Sequence, residues 1–265
     1  MYYPAAPYRR AELCGSTFVA APLGMSWFLV AVAAVAVLSG ATASVVGFGI
    51  GSLLTPLLAA RVGTPAAVAA VALPHAAATA LRCWRLRRAV DLEVLRGFGA
   101  LSAAGGLAGA LLYARLGGRA LTVVLGALLV LTAVAGLTGL TDRWRPRGVG
   151  AMTLGLVTGL FGGLAGNQGG LRAAALGSFG LAPAAFVATA TATGLLVDAA
   201  RTPVYLWRAG PTLLALATPI GVATVGVLAG TLLGERILLG MPRERFRRVT
   251  SLAVGALGVW LLLRA

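Results

Sequence analysis

The chain has 265 residues, of which 59% are hydrophobic and 11% charged, and its mean hydropathy is +0.91. Soluble domains carry about a quarter charged residues, so this composition excludes one and indicates an integral membrane protein. The net charge of +15 does not indicate a nucleic-acid partner, because the basic residues lie in short clusters between apolar runs and build no single soluble face. All 22 basic residues are arginine, a bias that, with the Ala and Gly richness, reads as genome base composition and carries no functional weight.

In chain order, residues 1–24 are weakly patterned and read as an N-terminal tail. Arg9 and Arg10 precede an apolar run ending in "ATAS", which imitates a signal peptide. Cleavage there would fall beside a glycine cluster that recurs later, so none is expected. Apolar stretches of membrane-spanning length then follow at 25–46, 65–81, 98–113, 121–140, 149–165, 184–199, 211–233 and 249–263. Trp27, Trp84, Trp144, Trp207 and Trp260 fall at or near their ends, the level that indole rings favour. The runs are too long and too uniformly apolar for the roughly ten-residue alternating strands of a membrane barrel. The expected fold is all-α: a polytopic helical membrane protein. Cys14 and Cys83 are too few and too unlike in setting to suggest a disulfide framework or a metal site.

Two of the apolar runs break on glycine and resume, at "GFGIGSLL" from Gly47 and "GNQGGLR" from Gly166. Shifting the chain on itself by about 120 residues lays Gly40, Gly47 and Gly51 on Gly159, Gly166 and Gly170, and Pro65 on Pro183 with one gap. The chain therefore reads as two homologous four-segment halves, 25–140 and 141–265, each with a glycine-broken helix. A helix that stops inside hydrocarbon leaves backbone groups that only a cavity or a ligand can satisfy. The segments after the breaks, 53–60 and 171–179, read as short helices whose N-termini offer free N–H groups and a positive dipole end, a setting for anions. Paired breaks of this kind are the sequence mark of a transporter's central site.

The stretches "GFGIGSLLTPLL" with "GTPAAV", "GNQGGL" with "GLAPAAFVATA", and "DAARTPVYLWRAG" from Asp198 resemble the TauE/SafE family of sulfite and organosulfonate exporters. The likeness covers nearly the whole chain beyond Met25. It implies a permease built from two four-segment halves that moves small, mostly sulfur-containing anions.

The candidate substrate-binding residues are Gly47, Gly49 and Gly51 at the first break and Asn167, Gln168, Gly169, Gly170 and Arg172 at the second. A charge inside the membrane is costly. Arg172 stands in the first turn of the second short helix, where its guanidinium could bind an oxyanion in forked hydrogen bonds. Asn167 and Gln168 could add amide donors. Thr42, Ser44 and Thr55 are weaker candidates, since hydroxyls in membrane helices usually bond back to their own helix. His75, the only histidine, follows Pro74 and suits a proton-coupled step. Asp198 and Arg201, three residues apart on one helix face, read as an ion pair at the membrane interface with a structural or gating role. No metal site, cofactor or catalytic residue is expected. The implied partners are a small anion, the lipid bilayer, and a coupling proton or other ion.

Arginine-rich loops stay cytoplasmic, but the count does not decide the topology. With every segment crossing, 13 arginines fall inside and eight outside. With each glycine break a hairpin that turns back, the halves are inverted and the division is again 13 to eight. The inverted scheme alone gathers the clusters at 82–96, 143–147 and 236–248 on one side. The leading function is secondary transport of a small oxyanion, and no Walker motif suggests ATP hydrolysis. An intramembrane enzyme and an accessory membrane subunit are the alternatives.

Overall fold

A computed structural model of the chain describes residues 22–47, 49–139, 148–167, 169–238 and 243–265. Every regular element among them is helical. The first half holds α1 (Pro22–Val46), α2 (Ile50–Val62), α3 (Thr64–Leu86), α4 (Leu92–Tyr113, with a π-helical stretch at Leu95–Gly99) and α5 (Gly118–Thr138). The second holds α6 (Val149–Ala165), α7 (Gly169–Leu176), α8 (Pro183–Ala215), α9 (Ala217–Leu238) and α10 (Arg243–Leu263). The order is the same each time: a helix, a glycine break, a short helix and three longer helices.

Six helices, α1, α3, α4, α5, α8 and α9, are long and apolar enough to cross a membrane. With 17 residues, α6 spans about 25 Å. Two sequence-based segments need correction. The run expected at 211–233 begins only at Ala217, and residues 211–215 finish α8. The helix absorbs both Pro203 and Pro211, as membrane helices can when neighbours satisfy the freed backbone groups. The first helix starts at Pro22 rather than residue 25.

Glycine contacts fix the direction of each packed pair. Going up α6, Gly155, Gly159 and Gly163 meet the backbone of Phe98, Ser102 and Gly106 in turn, so α4 and α6 run parallel. Gly226, Gly230 and Gly234 meet Ala33, Val37 and Ala41 in the same ascending order, so α1 and α9 are parallel too. These seams let backbones approach closely where lipid offers no hydrophobic drive for association. By contrast α5 and α10 run antiparallel, Gly126 meeting Leu262 while Gly136 meets Ser251. So do α3 and α8: His75 reaches Asp198, and the amide of Asp91, just beyond α3, donates to Thr189.

The surface is apolar, with Trp27, Leu131, Trp207 and Leu214 among the exposed side chains. The ionisable residues Arg82, Arg172, Asp198 and Arg201 are buried instead. A chain with lipid-facing hydrophobes and an ionic interior is a multi-pass membrane protein.

Candidate functional site

Both breaks come from glycine at the end of a helix. Gly47 (φ 85) stops α1 and Gly166 (φ 70) stops α6, backbone regions that side chains rarely enter. The amide of Gly47 donates to the carbonyl of Ala43, and that of Gly166 to the carbonyl of Gly162, each at 3.0 Å, the single-bond form of a left-handed helix cap. The chain then restarts as α2 and α7. No side chain caps α2, which follows Gly49, so its first-turn N–H groups lack intrahelical partners.

The two breaks touch. A Cβ on Gly51 would lie 2.3 Å from the carbonyl oxygen of Gly166, so only glycine lets the backbones approach this closely. The Ser52 hydroxyl donates to Oδ1 of Asn167 across the seam at 2.9 Å. That bond aims the other end of the amide elsewhere: Nδ2 of Asn167 is buried without a hydrogen-bond partner. Between the breaks lies a narrow cavity of about 10 Å³ lined by Gly49, Gly51, Ser52, His75, Gly166, Asn167, Gly169, Arg172 and Arg201, room for about one water. Its walls are backbone, an amide, a hydroxyl, an imidazole and two guanidinium groups, with no carboxylate among them.

Arg172, 2% exposed, projects from α7 toward α8. Its guanidinium lies over Gly194, where a Cβ would come within 3.0 Å of Nη1. Behind the cavity, Asp198 joins the two halves. Its Oδ2 is 2.7 Å from Nδ1 of His75 on α3, while its Oδ1 accepts from Nε of Arg201 at 3.1 Å and lies 2.8 Å from Nη2. Arg201 also donates through Nη1 to the carbonyl of Gly162. Thr79 donates to the His75 carbonyl at 2.6 Å, and its hydroxyl lies 3.3 Å from the same Nδ1 that Asp198 engages. Thr79 thus lies on the carboxylate's side of the ring, not at the opposite nitrogen where a hydrolytic triad holds its nucleophile.

The structure thus brings Gly49, Gly51, Asn167, Gly169, Arg172, His75 and Arg201 together around one cavity. Gly47 and Gly170 stand back from it, Gly170 packing against Thr132 of α5. Gln168 lies outside the described residues, as do Cys14 and Trp144. Thr42 and Ser44 bond back to their own helix, at the carbonyls of Leu38 and Ala41. Thr55 is buried beside Gly166 with an unpartnered hydroxyl. One expectation is corrected: Asp198 and Arg201 form no interfacial pair, being 1% and 2% exposed in the middle of α8. The helix runs on to Ala215, so what reads as a segment end is the middle of a 33-residue helix.

Two further residues belong to this network. Ser52, next to Gly51, carries no sequence signal of its own. Arg82, counted with the loop arginines, is buried and donates to the carbonyl of Ala43. At the 119-residue spacing that superposes the glycines, position 82 falls on Arg201, a register that the Pro65–Pro183 pairing, offset by 118, hides in the sequence.

A family model described as sulfite exporter TauE/SafE matches residues 32–261. The chain belongs to the TauE/SafE family. No curated protein and no solved structure matches it. TauE/SafE proteins are membrane permeases of the sulfite-exporter type, and the glycine breaks described above lie within the matched residues.

Proposed function

We propose that this TauE/SafE protein is a secondary transporter that holds a small sulfur-containing oxyanion, such as sulfite or an organosulfonate, between its two glycine breaks. The observation that carries this reading is the cavity itself: Arg172 and Arg201, Asn167 with its unpartnered Nδ2, and the uncapped start of α2 all line it. All are donors, and forked guanidinium bonds suit a planar or pyramidal oxyanion. The His75–Asp198–Arg201 network, which links α3 to α8 directly behind the site, serves proton coupling or gating.

Residues 25–140 and 141–265 are read as inverted repeats. Opposed directions for α5 and α10 and for α3 and α8, with parallel α1–α9 and α4–α6 pairs, fit a two-fold axis in the membrane plane. Each break is then a hairpin entering from its own side. The inverted scheme assigns the sequence clusters at 82–96, 143–147 and 236–248 to one side, which the positive-inside rule makes cytoplasmic. A cavity of about 10 Å³ is too small for an oxyanion and its path, so the breaks must part on one side at a time.

The test is flux into proteoliposomes for sulfite, sulfate, sulfoacetate, thiosulfate and a non-sulfur carboxylate, with and without a pH gradient. The expected result is transport of a sulfur oxyanion that Arg172→Ala lowers by at least about tenfold, the scale of losing charged hydrogen bonds. Transport of none of these anions, or an unaltered rate in Arg172→Ala, would sink the proposal.

A further inference from the structure

Arg82 and Arg201 share a role that neither the family nor the cavity assigns. Arg82 donates through Nη1 to the carbonyl of Ala43, and Arg201 donates through Nη1 to the carbonyl of Gly162. Donor and acceptor in the second half are each 119 residues beyond those in the first, the same shift that carries Gly47 onto Gly166. The carbonyls are not arbitrary. Each already accepts the amide of the left-handed glycine that ends its helix, Gly47 on Ala43 and Gly166 on Gly162. One oxygen at the tip of each broken helix thus holds both the cap of that helix and a buried guanidinium from the long helix of its own half.

A cation at a helix C-terminus is stabilised by the last-turn carbonyls. That gain is small beside the cost of burying a guanidinium without a carboxylate. Among the described residues no carboxylate pairs with Arg82: Asp198 pairs with Arg201 and His75, the residue 119 positions before Asp198 is Thr79, and Nε of Arg82 has no hydrogen-bond partner. A residue kept there at such cost acts through what it holds. It holds the point where α1 stops and the hairpin can swing.

We propose that Arg82 and Arg201 are a symmetry-related pair of positioning residues, each bracing the tip of one broken helix, so that releasing either brace opens the anion site to one side of the membrane only. Because the hairpins enter from opposite faces, the sides opened are opposite. This rests on the inverted-repeat reading and on alternating access, but not on which anion is carried.

The experiment therefore reads labelling rather than flux. In a background with Cys14→Ser and Cys83→Ser, a Ser52→Cys reporter in the cavity wall is exposed to a membrane-impermeant maleimide, added to either face of oriented vesicles. Arg82→Gln is expected to raise the labelling rate roughly tenfold from one face, and Arg201→Gln from the other, the scale of one charged hydrogen bond acting on a two-state equilibrium. Arg82→Lys, which keeps a charged donor, is expected to return labelling toward the parental rate. Equal acceleration from both faces, the same face for both variants, no acceleration, or failure of Arg82→Lys to restore the parental pattern each overturns the proposal. Flux lost in Arg172→Ala with symmetric labelling in the arginine variants would leave the anion site standing and remove the braces.

Discussion

Set side by side, the two breaks share their mechanics and differ in their chemistry. Each has a left-handed glycine, a capped carbonyl and an arginine on that carbonyl. At the positions related by the 119-residue shift, however, Leu53 stands against Arg172, Thr79 against Asp198, and His75 against Gly194. The last pair is instructive, because the side chain missing at Gly194 leaves the place that the Arg172 guanidinium occupies. The parts that make and hold a broken helix are alike in the two halves. Under the proposed function the residues that would meet the anion differ, which predicts one composite site between the halves and not two.

The strongest way to break that contrast is to compare Asp198 with its counterpart Thr79. Asp198→Asn leaves Arg201 buried beside a neutral amide and unpairs His75, and loss of one partner from a buried ion pair costs about 3–5 kcal/mol. Thr79→Val removes one hydroxyl that bonds back to its own helix, worth about 1 kcal/mol. Thermal unfolding in detergent should show a large drop in Tm for the first and a small one for the second. Comparable drops would mean that the second half carries no special electrostatic burden.

A geometric version uses the glycines. A methyl group on Gly51 would sit 2.3 Å from the backbone oxygen of Gly166, whereas one on Gly170 would sit 2.5 Å from Cγ2 of Thr132. Backbone cannot step aside and a threonine methyl can rotate. Gly51→Ala should therefore cost about 1–3 kcal/mol of overpacking and most of the transport, while Gly170→Ala should cost distinctly less. Equal losses in flux would show that the breaks do not meet through Gly51.

Fold class and both breaks were legible in the sequence because they are local: glycine ends a helix where it stands, and apolar length marks a span. The cavity set of Gly49, Gly51, Asn167, Gly169 and Arg172 follows from those breaks. What escaped depends on the partner across space. Asp198 and Arg201 looked interfacial because nothing in the residues from Pro203 to Pro211 announces that α8 continues through two prolines. Arg82 looked like its neighbours Arg85, Arg87 and Arg88, all in one charged run, and only its contact with Ala43 separates it from them. Ser52 carries no pattern of its own and matters because Asn167 lies opposite.

That bond carries the smallest of the expected effects. Ser52→Ala removes the donor that holds Oδ1 of Asn167 at the cavity wall, a change of about 0.5–1.5 kcal/mol, too little to unfold anything. The freed amide can then offer the anion either its oxygen or its nitrogen. Selectivity should loosen before rate does: KM for the preferred oxyanion rises a few-fold, the maximal rate holds, and competing anions gain ground in mixed-substrate flux. Leu171→Ala, the matched change 119 residues on, removes no such donor and should leave the ratio of anions unchanged. If both variants shift that ratio alike, the hydroxyl is not orienting the amide, and the difference between the two breaks must be sought in Arg172, Asp198 and His75.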